Sequence, residues 1–387
     1  MKVGIVTFHF AKNCGAVLQC YALQSVLRKM EIEPVVIDYQ PTYHTARYSA
    51  YRNPFILAQQ AWKKHAARKP ADRIIRTVKC FVGIIWDYRL GKERKRVNDC
   101  FDAFVKQYLR LTKRYTSYRV LAADQDACDG YISGSDQVWN PHLTDEKLDE
   151  AYFLLFAPKA ACKISYAVSA CQLNMKKYGD SLRRYTQALS AISIREETER
   201  SEMEAVLNRR VSVHIDPTLL LTAQDYNEEI ADLKVTEAQK CIVVYALNET
   251  DGEVFAYARS LSEKYGIPII DISPKYHQGE CIHRNGVGPK EFVNYIKNGM
   301  YVVTNSFHGT CFSVIFHKKF QVVTHSSRGS RTDSLLSMLH LTQRIVSGDP
   351  EVSMAFMDQD IDYAAVDQTL EMKRKEALNY LKNGLTR

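Results

Sequence analysis

No Cys-x-x-Cys pair occurs among the ten cysteines, and nothing matches a zinc or iron–sulfur spacing. Cys80, Cys241 and Cys311 sit inside apolar runs, so the cysteines read as reduced, buried thiols of a cytosolic protein. No apolar stretch approaches the ~20 residues that span a bilayer. The first apolar run is cut by His9, Lys12 and Asn13, which suits a strand and not a signal peptide. No G-x-G-x-x-G follows that run, Gly286-Val287-Gly288-Pro289 does not supply one, and no P-loop is present. Internal repeats, low-complexity segments and recognisable nucleic-acid motifs are also missing, so no nucleic-acid partner is expected.

What remains is a chain of 387 residues, 46% hydrophobic and 25% charged, long enough for two soluble domains. A strand at 3–7, a helix at 15–29 and a strand at 35–38 make a β-α-β opening. The helix has Val17, Leu18, Tyr21, Ala22, Ser25 and Val26 on one side. Further strands are expected at 130–133, 164–169, 191–195 and 211–215, before Asp216-Pro217 closes the unit. The polar stretch 222–237 reads as a link. A second alternating unit follows, with strands at 241–246, 267–272, 301–303 and 320–324 and helices near 254–264, 289–298 and 310–316. The pattern predicts an α/β fold of two Rossmann-like domains facing a cleft. The first covers 1–221, with a basic helical insertion over about 55–119. The second covers 235–350, and a charged helix occupies 360–387.

In open α/β sheets ligands bind beyond the carboxyl ends of the strands. Asn13 and Gly15, Ser135 and Asp136, Arg195, and the run from Asn305 to His308 all lie just past expected strands. His308 sits on a strand-to-helix turn beside Gly309, with Ser306 as a suitable N-cap and free N–H groups that suit an anion. An imidazole there is a candidate acid/base, although a capped helix with an ordinary polar histidine looks the same. Asp136 could orient or deprotonate a hydroxyl, or serve as an Asx-turn residue. Arg195 could fork onto a carboxylate or phosphate, or pair with Glu196 or Glu197. Arg328 and Arg331 lie in a Ser/Gly-rich loop suited to wrapping an anion or to facing solvent. Asp216 reads as a structural turn residue.

Several segments in order resemble the polysaccharide pyruvyl transferase family. They are residues 1–7, the run from Asn13 to Gln19, Gly134-Ser135-Asp136-Gln137-Val138-Trp139-Asn140, Ile192 to Glu196, Asp216 to Leu221, Thr304-Asn305-Ser306-Phe307-His308-Gly309-Thr310, and Ser330-Arg331. Cys14, Asn305 and Lys319 stand where that family commonly has tyrosine, aspartate and proline. The resemblance implies a fold like that of GT-B glycosyltransferases. It also implies transfer of pyruvate from phosphoenolpyruvate, as co-substrate, onto two sugar hydroxyls as a ketal; no cofactor is expected, and no metal, since no ligand cluster is visible in the sequence. His308, Asp136 and Arg195 would be catalytic. Asn13, Gly15, Ser135, Ser306, Phe307, Gly309, Thr310, Arg328 and Arg331 would bind substrate. A glycosyltransferase using a nucleotide sugar and a non-catalytic glycan-binding or assembly protein are the alternatives.

The net charge of +8 is concentrated, with 17 Lys/Arg against 5 Asp/Glu in residues 63–119. With Phe81, Trp86, Phe101, Phe104 and Tyr108 interleaved, this stretch is expected either to touch anionic lipid or a lipid-linked sugar acceptor, or to form solvated helices with apolar inner faces. The first case would place the protein at the inner face of the membrane.

Overall fold

The computed structural model describes residues 1–45, 48, 62, 70–72, 74–78, 91–123, 127–171, 173–247, 251–275, 281–324, 330–346 and 350–386. Strands β1 (Lys2–Val6), β2 (Glu33–Val36), β3 (Gly130–Ser133) and β4 (Cys162–Ser165) form a parallel sheet in the order β2-β1-β3-β4. Short strands β5 (Ser193–Ile194) and β6 (Ser212–Val213) pair in parallel beside it, through bridges such as Ile164 to Ala191. A second parallel sheet has the order β11-β10-β7-β8-β9. Its members are β7 (Ile242–Tyr245), β8 (Ile269–Asp271), β9 (Ile282–His283), β10 (Tyr301–Thr304) and β11 (Lys319–Val322). The β10 run is buried on both faces, as helix-covered parallel strands are.

The Cys14–Lys29 helix starts where the Asn13 side chain accepts the Ala16 N–H at 3.1 Å. Its apolar side was expected to be single. The helix is instead buried on every side from Cys14 to Leu27, because it is wedged between the first sheet and the helices of the second. The resulting core is continuous, joining Val3, Ile5 and Leu18 to Val243, Phe292 and Phe312. The stretch 222–237, expected as a link, carries the Ala223–Glu229 helix, closed by a capping box between Thr222 and Asp225. Glu229 then accepts from the Tyr21 hydroxyl at 2.6 Å. The Tyr363–Leu385 helix returns to the first sheet, where the Tyr380 hydroxyl donates to the Ser165 carbonyl at 2.8 Å.

Much of the basic stretch, with Phe81 and Trp86, lies outside the described residues. The Gly91–Tyr108 helix is described, and it has the apolar inner face that one of the two readings expected. Phe101 and Phe104 are buried in the core against the Cys14–Lys29 helix, and Tyr108 packs edge-on to Tyr21. These three rings pack against the protein. No described helix is long and apolar enough to cross a membrane.

Candidate active site

The carboxyl ends of β3, β5, β6 and β10 meet around one buried carboxylate, that of Asp216. Its Oδ2 accepts from Arg195 Nη1 at 2.6 Å and from Ser135 Oγ at 3.2 Å. Its Oδ1 accepts from the Thr218 N–H and hydroxyl at 3.0 and 2.8 Å. His308 Nε2 stands 3.7 Å from Oδ2, close enough for charge attraction but too far for a hydrogen bond. Burial alone would raise the carboxyl's pKa. The His308 ring, the Arg195 guanidinium and the Thr218 N–H together hold it well below the usual range. Asp216 was read from sequence as a turn residue. It does cap the Pro217–Leu220 turn, and it also ties Arg195 and His308 together. The signal available was its position: it follows Ile215 at a strand end, like the other site residues.

Arg195 is buried, with Nε on Glu196 at 3.2 Å and its guanidinium carbon 4.3 Å from the centre of the Phe307 ring. The ion pair with Glu196, one of the two readings of this arginine, is therefore present. Its Nη2 is buried without an acceptor among the described residues, as are Arg331 Nε and His308 Nε2. Burial, then the nearby Arg195 charge, lowers the pKa of the Arg331 guanidinium. The two guanidiniums thus lie close together at one buried space, with Asp216 and Glu196 already on Arg195.

His308 lies in the first turn of the Phe307–Ile315 helix, where Ser306 Oγ accepts the Gly309 N–H at 3.3 Å. The helix begins three residues before the expected 310, directly after that cap. A Cβ on Gly15 would stand 1.9 Å from His308 Nδ1, so the glycine of one domain seats the imidazole of the other. Gly15→Ala is therefore expected to fold, displace the ring and lose most turnover. Full activity in that variant, with an unchanged melting curve, would show that the contact is not needed. Gly309 is held by a similar approach, 2.5 Å from Thr304 Oγ1 for an added Cβ.

Two cavities open onto this cluster. One, about 310 Å³, is lined by Asn13, Asp136, Ser306, Phe307, His308 and Arg331, with Phe8, His44 and Tyr48 as aromatic walls. Asp136 is left-handed (φ 67°), a conformation uncommon outside glycine, and its carboxylate takes no hydrogen bond from a described residue. The other cavity, about 880 Å³, reaches Arg195, Asp216, Phe307 and Arg331 from the opposite side and adds Lys373 and His214. Burial and Lys373 push His214 down to about 4, leaving it a neutral ring at physiological pH.

The remaining residues expected to touch substrate are placed differently. Gly15, Ser135, Gly309 and Thr310 line neither cavity, and their contacts are with the protein. Ser135 Oγ donates to the Ala167 carbonyl at 2.7 Å, and Thr310 Oγ1 to the Ser306 carbonyl at 3.1 Å. Arg328 lies outside the described residues. The Asn305 side chain is spent on both backbone groups of Leu247, at 2.6 and 2.8 Å. Phe8, His44, Tyr48 and Lys373 were not picked out from sequence, because no local pattern separates them from core or surface residues. No group of His, Cys, Asp and Glu that could hold a metal occurs among the described residues.

A model of the family described as polysaccharide pyruvyl transferase matches residues 13–327. No curated protein matches the sequence significantly. Among solved structures, a putative UDP-N-acetylglucosamine 2-epimerase from Listeria monocytogenes aligns with a TM-score of 0.51 at 10% identity, covering 98% of this chain and 95% of its own. The UDP-GlcNAc 2-epimerase from Methanocaldococcus jannaschii gives 0.49 at 10% identity, covering 94% and 93%. A spinosyn rhamnosyltransferase complexed with thymidine diphosphate gives 0.46 at 11%, covering 99% of both chains. With the alignment at 0.51, which speaks to the fold alone, the two parallel sheets make a GT-B-like pair of Rossmann-like domains.

Proposed function

The chain belongs to the polysaccharide pyruvyl transferase family and is a transferase of that class, and we propose that it moves pyruvate from phosphoenolpyruvate onto two hydroxyls of one sugar as a cyclic ketal, releasing phosphate. The observation that carries this reading is the convergence of Arg195 Nη2, Arg331 Nε and His308 Nε2, all buried and without a protein acceptor among the described residues. Phosphoenolpyruvate brings a carboxylate and a phosphate, and an anion between two guanidiniums relieves their repulsion while making charged hydrogen bonds. The N-terminus of the Phe307–Ile315 helix borders both cavities through Phe307 and adds partial positive charge.

The chemistry then follows in two steps. C3 of the enol takes a proton, and a sugar hydroxyl oxygen bonds to C2 as it loses its own. The second hydroxyl oxygen bonds to C2 as the C2–O bond to phosphate breaks, and phosphate carries away the remaining proton. His308, whose ring borders the smaller cavity beside Asp136, is the proton donor to C3. Asp136, its carboxylate unclaimed by described residues, accepts the hydroxyl proton. Asp216 positions His308 and Arg195. The smaller cavity, with Asp136, Asn13 and its aromatic wall, suits a sugar, and the larger, with Arg195, Arg331 and Lys373, suits the anion.

Arg331→Ala is expected to weaken phosphoenolpyruvate binding by ~1.5–3 kcal/mol, as for a lost hydrogen bond to a charged group. Titration calorimetry on the purified protein reads this directly, and unchanged affinity would remove Arg331 from the donor site.

A further inference from the structure

A separate cavity of about 540 Å³ opens in the first domain, bordered by the Thr42–Thr45 helix, residues 116–119 and the Met175–Thr186 helix. Its walls include four half-buried tyrosines, Tyr43, Tyr118, Tyr178 and Tyr185. Some are fixed. The Tyr39 and Tyr43 hydroxyls both donate to Asp149 Oδ2, at 2.7 and 2.5 Å, and the Tyr178 hydroxyl donates to the Glu146 carbonyl at 2.9 Å. Others are uncommitted. The hydroxyls of Tyr118, Tyr185, Thr116 and Ser181 and the carboxylate of Glu150 form no hydrogen bond with a described residue. Rigid aromatic faces beside unclaimed hydroxyls and a carboxylate are what a pyranose needs. Its C–H face lies on a ring while its hydroxyls find polar partners. The volume lies in the range of small-ligand sites, and charges of both signs, Lys147, Arg119 and Glu150, do not select for an anion.

The cavity's position ties it to the site already described. Tyr43 lines it while the adjacent His44 lines the smaller catalytic cavity, and on a neighbouring loop Lys147 and Leu143 divide in the same way. The two spaces thus lie on either side of one short ridge. We propose that the tyrosine cavity is a second carbohydrate subsite, holding sugar units of the acceptor glycan remote from the unit that reacts. This rests on the reading of a sugar acceptor in the catalytic cleft.

The test is calorimetry and saturation-transfer NMR on the full chain. The probes are soluble tri- to pentasaccharides of glucose, galactose, mannose and N-acetylglucosamine. At least one should bind the wild type. It should bind about tenfold more weakly, ~1.4 kcal/mol, to Tyr118→Ala and to Ser181→Trp, which fills the cavity while keeping its tyrosines. Lys176→Ala, exposed on the same helix as Ser181 and outside the cavity lining, should bind it as the wild type does. Binding of none of the probes, or equal binding by wild type, Tyr118→Ala and Ser181→Trp, overturns the proposal. A protein that binds through these tyrosines yet releases no phosphate from phosphoenolpyruvate would keep the subsite and sink the transfer reading, so the two failures are distinct.

Discussion

His308→Ala is expected to cut phosphate release from phosphoenolpyruvate by ~10²–10⁴-fold, the usual contribution of a general acid–base group. The fold should survive. The ring fills a space between Gly15 and Phe307, while Asp216 keeps its bonds to Arg195, Ser135 and Thr218. His308→Gln tests the assignment more narrowly, since it retains bulk and a hydrogen-bonding end but cannot hold and release a proton near neutrality. Both variants should bind phosphoenolpyruvate more tightly than they turn it over. Near wild-type turnover in either one would remove His308 from the chemistry.

The second large effect belongs to Asp216. Asp216→Ala leaves the buried Arg195 with Glu196 as its one carboxylate partner among the described residues, and breaking a buried pair by removing one member costs ~3–5 kcal/mol. Urea unfolding should show this as an earlier midpoint, with Asp216→Asn less affected because it keeps the shape and the cap on Thr218. The pH dependence has a fixed sign. The folded-state pKa of Asp216 is depressed, so its contribution is complete above the ordinary aspartate value, about 3.9, and is lost as pH falls towards the folded value. The stability gap between wild type and Asp216→Asn should hold steady from neutrality down to that value and close below it. A gap that widens on acidification, or no gap at neutral pH, would contradict the ion-pair account.

The parts of this architecture that depend on local pattern were legible before the fold was known. The β3 run Gly130–Ser133 and the Pro289–Asn298 helix, with proline in its first turn and Glu291 reaching back to the Gly288 N–H, match the expected spans. The strand–turn–helix around His308 was likewise visible, because strand burial and Ser306 capping are written in consecutive residues. What stayed hidden depends on distance along the chain. Arg195 and Asp216 meet because β5 and β6 run side by side, and Gly15 meets His308 across the two domains; periodicity carries neither fact. The two-residue strand Ile282–His283 is too short to give a pattern, and it pairs with β8 along an edge. The inward faces of Phe101 and Phe104 were one of two readings of the basic stretch, because its lysines and arginines suit a lipid surface as well as a solvated helix face. The capping box of Thr222 and Asp225 was present in the sequence as T-x-x-D, and it marks a helix inside what looked like a link.

The central claim is the transfer itself. The most direct measurement is incubation of the purified protein with phosphoenolpyruvate and soluble glycan-precursor sugars, following inorganic phosphate and the mass of each sugar. The account predicts that phosphate appears only with an accepted sugar, and that this sugar gains the mass of pyruvate less one water in equal amount. Sugar-independent phosphate release, or a product formed only from a nucleotide sugar with release of nucleoside diphosphate, would contradict it.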